Sequence, residues 1–140
     1  MNLCDYNTIR DLLARHGFHF SKSMGQNFLI DPEVPRRIAE ASGADAGCGV
    51  LEIGPGIGPL TQQLGLRAAK VCAVEVDTRL APILDKTVGE FPNVEILCYE
   101  EDASTLDRLI QQGELDIGFF NCPINNENID YQIISNEEIV

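Results

Sequence analysis

The residues with the clearest chemical meaning are three glycines at alternate positions, Gly54, Gly56 and Gly58. They follow a mostly apolar run, in which Glu52 stands two residues before the first glycine. A glycine-rich turn between a strand and a helix lets backbone approach a ligand closely and directs free N–H groups towards it. A second acid, Glu75, ends the next apolar run, where an acidic side chain is placed to bind ribose hydroxyls. This pattern predicts a site for an adenosine-containing cofactor.

The spacing of the glycines distinguishes between two cofactor classes. The dinucleotide pattern G-x-G-x-x-G would place its third glycine at position 59, which is proline, whereas the third glycine of this chain is Gly58. The observed G-x-G-x-G spacing favours S-adenosylmethionine (SAM) over NAD, because SAM has no pyrophosphate to seat at a helix N-terminus. The alternatives are a small oxidoreductase that binds a nucleotide cofactor, and an ordinary glycine turn without a ligand.

The apolar runs and helix signals predict the elements that position this loop. Strands are expected at 49–53, 70–76, 94–99 and 115–120, and helices at 60–69, 78–88 and 104–112. Two earlier helices are expected over 6–15 and from Asp31-Pro32 to about 42, and Asp77 is expected to cap the helix over 78–88. The alternation predicts an α/β fold with a parallel, Rossmann-like sheet of about four strands.

Length and composition predict how the chain is organised. A chain of 140 residues corresponds to about one domain. We expect N-terminal helices and a loop over 1–47, a cofactor-binding core over 48–120 and a tail over 121–140. The tail holds five Asn and five Ile but no Ala, Leu, Gly, Lys or Arg. It is therefore either a divergent acidic segment or an ordinary polar C-terminus.

Charge and cysteine usage argue against several classes of protein. The formal net charge is −12, and −9 of it lies in residues 100–140, which does not favour nucleic acid. The five cysteines are widely spaced, so neither a disulfide framework nor a metal site is expected. Cys72 and Cys98 lie in apolar runs and are expected in the core. No run approaches the roughly 18 apolar residues of a membrane span, so a soluble, cytoplasmic protein is expected.

A family resemblance follows from the segment 22–31, which reads KSMGQNFLID. It resembles the N-terminal motif of the ribosomal RNA adenine N6-dimethyltransferases, which include the bacterial KsgA enzymes and the Erm resistance enzymes. Residues 51–61 and 73–80 continue the resemblance in order, and 101–103 resemble the next motif. The resemblance covers roughly 8–118, and the N-terminal RDLLARHGF is more similar to the KsgA branch. It implies a SAM-dependent methyltransferase that acts on adenines of small-subunit ribosomal RNA.

The resemblance also implies a role for each position of the cofactor site. Asn27 and Leu29 would contact the methionine end of SAM, and Gly54 would let the backbone approach the cofactor closely. Glu75 would accept hydrogen bonds from both ribose hydroxyls, and Asp102 would accept one from the adenine amino group. Simpler alternatives remain: Phe28 and Leu29 as core residues, Glu75 as a solvated strand end, and Asp102 as part of a solvated acidic run.

The family holds its target amine with an Asn-Leu-Pro-Tyr motif after the fourth strand, and this chain has Asn121-Cys122-Pro123-Ile124 there. The match implies that Asn121 and Pro123 belong to the catalytic motif and that Asn121 also borders the cofactor. Ile124 replaces the aromatic residue that stacks on a flipped adenine, an interaction worth about 1–3 kcal/mol per base. Two functions therefore stay open: a truncated or divergent ribosomal RNA dimethyltransferase, and a non-catalytic module that binds SAM or a partner.

Overall fold

The computed structural model describes residues 1–18, 28–98, 103–115, 118 and 127–133. The described strands are β1 (Gly49–Ile53), β2 (Lys70–Glu75) and β3 (Val94–Cys98). The described helices are α1 (Tyr6–Arg15), α2 (Glu33–Ala41), α3 (Pro59–Gly65), α4 (Ala81–Val88) and α5 (Ala103–Gln111), with a short 3-10 helix over Thr78–Leu80. The alternation of strands and helices confirms the predicted α/β fold.

The chain divides into two compact units, residues 1–100 and 101–140. The first unit holds all elements from α1 to β3, and the second holds α5, whose Leu106, Leu109 and Ile110 are half-buried. The fourth strand predicted over 115–120 lies mostly outside the described residues. None of the described helices is both long and apolar enough to cross a membrane.

The three strands form a parallel sheet in the order β1-β2-β3. Parallel neighbours need crossover connections, which α3 supplies between β1 and β2 and α4 supplies between β2 and β3. In the register of the sheet Ile53 lies beside Val74, and Glu75 lies beside Cys98. The carboxyl ends of the strands therefore meet at one edge, and the segments that follow β1 and β2 are neighbours there.

The two faces of the sheet differ in burial because side chains alternate along each strand. Val71 and Ala73 face the covered side and are fully buried. Leu51 and Ile53 face the other side and are 47% and 52% exposed. Cys72 points to this second face and is half-buried, so its prediction as a core residue is wrong. The apolar pattern of the strand could not say which face the helices cover.

Two hydrophobic clusters join the helices to the covered face. The larger cluster combines residues of α1 and its flanking segments, the loop after β1, the 3-10 helix and α4: Leu3, Ile9, Leu12, Leu13, Phe18, Ile57, Leu80, Ile83, Leu84 and Val88. The smaller cluster lies under α2 and α3: Ala39, Leu64, Ala68 and Val71. Since one loop residue belongs to the larger cluster, the loop after β1 is packed into the same core as α1 and α4.

Aspartates accept amide hydrogen bonds at three helix starts, and Pro32, which the sequence predicts as the first residue of its helix, lies one position before α2. Asp5 accepts a hydrogen bond from the Thr8 amide at 2.8 Å, and Asp31 accepts one from the Glu33 amide at 2.9 Å. Asp77 caps the short 3-10 helix instead of α4 itself. The proline at the start of α4 has no N–H to donate to an α-helical hydrogen bond. The preceding turn therefore forms the i→i+3 hydrogen bonds of a 3-10 helix.

Candidate functional site

The loop after β1 adopts a backbone conformation that explains its three glycines. The φ angles of Gly54, Gly56 and Gly58 are +71°, +61° and +91°, a region that other L-residues rarely adopt. Three left-handed residues at alternate positions turn the chain sharply between the sheet and α3. The tight strand–loop–helix turn predicted from the sequence is confirmed.

The loop is anchored by its second half. Ile57 is fully buried in the larger cluster, and Gly58 lies against Val88 and Thr87 of α4. A β-carbon built on Gly58 would lie 2.8 Å from Val88 Cγ1 and 3.3 Å from Thr87 Oγ1. This half of the loop is therefore a close-packed part of the core.

The first half of the loop is uncrowded by the residues that the structure describes. No described atom lies within 4 Å of a β-carbon built on Gly54, so a ligand could approach its backbone closely. The same construction on Gly56 lies 3.8 Å from the ring of Phe28, a residue of the N-terminal motif. The structure thus brings Phe28 to the glycine loop, which spacing alone did not predict. Leu29, the next residue, is half-buried.

The backbone N–H groups of the three glycines are bonded within the protein. Gly54 donates to the Val74 carbonyl at 2.8 Å, and Gly58 donates to the Pro55 carbonyl at 2.9 Å. Gly56 donates to Glu75 Oε2 at 3.1 Å. The expectation that these amides point freely at a ligand is therefore wrong. The loop offers a ligand close approach, and α3 begins with a proline, which has no N–H to offer a pyrophosphate.

Glu75 lies at the end of β2 and joins the segments that follow two neighbouring strands. Its side chain is 5% exposed, so the alternative of a solvated strand end is wrong. Oε2 accepts the Gly56 amide, and Oε1 accepts the Asp77 amide at 3.0 Å. Two carboxylate oxygens provide about four acceptor positions, so two bonds leave capacity for a ligand. Within the described part of the chain, Glu75 is thus a buried acid with unused acceptor positions, close to the open side of Gly54.

Cys98 is the neighbour of Glu75 on β3. It is half-buried instead of fully buried as expected. Burial, and to a lesser extent the negative charge of Glu75, raise the pKa of its thiol above the usual 9.0. A thiol that is protonated at neutral pH is a poor nucleophile, so covalent catalysis by Cys98 is not indicated.

The acid turn, residues 75–79 at and after the end of β2, also contacts the N-terminal region. Asp77 is almost fully buried and holds the Arg79 guanidinium through two bonds, from Nε at 2.8 Å and from Nη2 at 2.7 Å. The same guanidinium stacks over the ring of Phe18, with its carbon 5.1 Å from the ring centre. Phe18 follows α1 and precedes the N-terminal motif. These contacts connect the acid turn to Phe18, in the segment that follows α1.

We expect Arg79→Ala to lower the free energy of unfolding by about 1–3 kcal/mol, because a buried carboxylate would lose a charged partner. Arg36→Ala is the matched control, since Arg36 pairs with the exposed acids Glu33 and Glu40 and its loss should change stability less. Urea unfolding of both variants measures the difference. Equal losses in the two variants would contradict this account of the acid turn.

Glu52 is a second buried acid, on the covered face of β1. It is 8% exposed and lies near Thr61 of α3, which is fully buried. Burial raises the pKa of Glu52, and the Thr61 hydroxyl lowers it by less without reaching hydrogen-bond geometry. Glu52 Oε2 and Thr61 Oγ1 have no hydrogen-bond partner among the described residues. The charged form of Glu52 is therefore disfavoured in the folded protein.

We expect Glu52→Gln to stabilise the protein at pH 7, with a gain that shrinks as the pH falls towards 4.5. The pKa of Glu52 is raised on folding from a usual value of 4.5, so folding retains a proton that the unfolded chain releases. The free energy of unfolding of the wild type therefore falls as the pH rises from 4.5 to the raised pKa of folded Glu52, and glutamine removes this loss. Urea unfolding at several pH values, with the exposed Glu95→Gln as control, checks the prediction. A gain independent of pH would contradict it.

The predicted site residues divide into two groups. The structure brings together the end of β2, at Glu75, and the open turn at Gly54, while Leu29 lies next to the aromatic residue that contacts this turn. The other four predicted site residues lie outside the described residues: Asn27, Asp102, Asn121 and Pro123. Sequence reasoning considered Phe28 only as a core residue, and it does pack against the larger cluster; its contact with the glycine loop was missed, although its place between two implied cofactor contacts was a usable signal.

Comparison with known proteins places this geometry in a family. The sequence profile of the ribosomal RNA adenine dimethylase family matches residues 17–132. Ribosomal RNA small subunit methyltransferase A of Geobacillus thermodenitrificans is 53% identical over 88 residues, which are 63% of this chain and 30% of that protein. The protein of that name from Streptococcus uberis is 45% identical over 112 residues, which are 80% of this chain and 39% of that protein. The chain thus spans less than half the length of these curated relatives.

Solved structures give partial matches. The 23S rRNA methyltransferase ErmE is 41% identical, with a TM-score of 0.49, over 54% of this chain and 30% of that chain. A dimethyladenosine transferase from Plasmodium falciparum is 33% identical, with a TM-score of 0.45, over 52% of this chain and 26% of that chain. Membership rests on the profile, whose match begins before the N-terminal motif and continues past α5. The chain belongs to the ribosomal RNA adenine dimethylase family.

Proposed function

We propose that this chain binds SAM at the carboxyl edge of its sheet, as the cofactor-binding part of an enzyme that methylates the N6 amine of adenines in small-subunit ribosomal RNA. Family membership and the names of the curated relatives support the reaction class and the RNA substrate. Such a substrate would place the activity in the cytoplasm.

One observation carries the cofactor assignment: a buried carboxylate lies beside an open glycine turn. Glu75 has acceptor capacity beyond its two backbone bonds, and the space beside Gly54 is open among the described atoms. A ribose diol is a pair of adjacent donors, which suits a carboxylate with free lone pairs. The glycine turn lets the cofactor approach the protein backbone closely. The proline that begins α3 favours a cofactor without a pyrophosphate.

Further roles follow from the family motif, position by position. We assign Asn27 and Leu29 to the methionine end of SAM and Asp102 to the adenine amino group. Asn121 and Pro123 are assigned to the motif that receives the target amine. The family profile extends through residue 132 and so includes this last motif, which supports the assignment.

When bound, SAM supplies a methyl group attached to a sulfonium sulfur. The neutral thioether that departs from this methyl group is already a good leaving group. The protein therefore contributes mainly by holding the two reactants in line. Glu75 and Gly54 would fix the adenosine half of the cofactor, and Leu29 would exclude water from the methionine end. The Asn121 side chain would accept a hydrogen bond from the target amine and orient its lone pair towards the methyl group.

A second candidate function is a module that binds SAM without turnover. Ile124 stands where the family motif has an aromatic residue, and an aliphatic side chain offers no comparable surface for a flipped base. The excess negative charge of residues 100–140 also opposes the approach of RNA. Both observations concern catalysis and leave the cofactor site unaffected.

Calorimetric titration of the purified 140-residue chain with SAM tests the cofactor assignment. We expect saturable binding of one SAM per chain. A folded sample that shows no heat of binding would overturn the assignment of the cofactor site. Titration with NADH is the comparison, since tight NADH binding would favour the oxidoreductase alternative.

Methyl transfer to unmethylated small-subunit ribosomal RNA separates the two candidate functions. RNA is incubated with the chain and SAM that carries a labelled methyl group, and the nucleosides are analysed for dimethyladenosine. Formation of dimethyladenosine would exclude the binding-only function. SAM binding without methyl incorporation would favour it.

A further inference from the structure

We propose that Glu75 is also a positioning residue, which holds the glycine loop in shape before any ligand binds. Its carboxylate lies 19 residues from Gly56 in the sequence and joins the Gly56 segment to the Asp77 segment, with Oε2 on the Gly56 amide at 3.1 Å and Oε1 on the Asp77 amide at 3.0 Å. One side chain thus connects the loop after β1 to the turn after β2. Neither bond involves a cofactor atom.

The glycine loop needs such a contact because the backbone of a glycine can adopt many conformations in the unfolded chain. Glycine loses more backbone entropy on folding than any other residue, and three of them alternate here. The Gly54 amide is fixed by the sheet through Val74, and Gly58 is fixed by its packing on α4. Among the described residues, Glu75 supplies the bond that ties the middle of the loop, Gly56, to another element.

Burial makes the contact effective. Glu75 is 5% exposed, so water competes poorly with the backbone donors for its oxygens. A buried carboxylate also requires donors, and the two amides meet that requirement. The bonds therefore satisfy the acid and shape the loop at the same time.

The consequence for the cofactor rests on the proposed function. If Glu75 also accepts the ribose hydroxyls, its loss removes those bonds and loosens the turn that the adenosine half must contact. The loop would then have to be ordered during binding, which weakens affinity. Glu75 would thus contribute to affinity both directly and through the shape of Gly56.

Amide hydrogen exchange measured by NMR on the free chain tests the positioning role. In the wild type we expect the Gly56 amide to be protected, and in Glu75→Ala we expect it to exchange at least roughly tenfold faster. The Ala73 amide, in the middle of β2, reports whether the sheet remains folded. Exposed Glu95→Gln is the matched control and should leave the exchange of Gly56 at the wild-type rate.

Glu75→Gln keeps the shape of the side chain but has a single acceptor oxygen. We expect it to protect only one of the two amides, Gly56 or Asp77. If Glu75→Ala loses protection at Ala73 and is unfolded, the comparison is made with Glu75→Gln. A Gly56 amide that is unprotected in the wild type would overturn the proposal, and so would equal protection of Gly56 and Asp77 in the wild type and in Glu75→Gln.

The positioning role and the cofactor role fail separately. Exchange is measured without SAM, so faster Gly56 exchange in the variants supports positioning even if SAM does not bind. SAM binding by the wild type combined with unchanged Gly56 exchange in the variants would overturn positioning and leave the cofactor site standing.

Discussion

Gly58→Ala is expected to lower the free energy of unfolding by about 2–5 kcal/mol. The left-handed φ of +91° costs an alanine roughly 1–2 kcal/mol. Its β-carbon would also lie 2.8 Å from Val88 Cγ1, and forcing atoms into a packed core costs about 1–3 kcal/mol more. Urea unfolding, monitored by a probe of the unit that contains the sheet, measures the loss.

Gly43→Ala is the control for this prediction. Gly43 has a φ of +70°, but no described atom lies within 4 Å of its built β-carbon. Its substitution therefore tests the backbone contribution without the packing contribution. Equal losses for the two glycines would show that contact of the loop with α4 does not matter.

Glu75→Ala is expected to weaken SAM binding at least roughly 100-fold. Hydrogen bonds to a charged group contribute about 1.5–3 kcal/mol each, two are expected with the ribose, and 1.4 kcal/mol corresponds to tenfold in affinity. Calorimetric titration of the folded variant gives the change. The exposed Glu95→Ala removes the same charge from β3 and should bind SAM like the wild type.

An analogue of SAM without the ribose hydroxyls identifies the atoms involved. The wild type should bind the analogue much more weakly than SAM, whereas Glu75→Ala should bind the two with similar affinity. Unchanged SAM affinity in Glu75→Ala would show that Glu75 is not the ribose ligand. A large penalty for the analogue in both proteins would place the ribose against another group.

The elements of the first unit could be predicted because each rests on local signals. Apolar runs set the three described strands, and β1 and the end points of α1 match the prediction. Helix α3 was expected to run to residue 69 but ends at Gly65. A β-carbon at Gly65 would contact Phe91 at 2.9 Å, so the chain there is constrained by a distant segment that a local pattern does not include.

The positions of the candidate site could be predicted from the sequence, but their contacts could not. Glu75 was recognised as an acid at a strand end, yet its bond to Gly56 depends on how β1 and β2 align in the sheet. The stacking of Arg79 on Phe18 likewise joins residues 61 positions apart in the sequence. Such contacts arise from tertiary packing, so the free amides expected for the glycine loop were not found.

The burial of Ile57 has a kinetic consequence. A loop that opened as a flap would have to draw this side chain into water, at a cost of about 1.5–3 kcal/mol. If the chain binds SAM as proposed, entry along the flank of Gly54, which is uncrowded among the described residues, does not require the loop to open. We then expect SAM binding to be a single step whose observed rate grows in proportion to SAM concentration, without the plateau that a gating motion imposes.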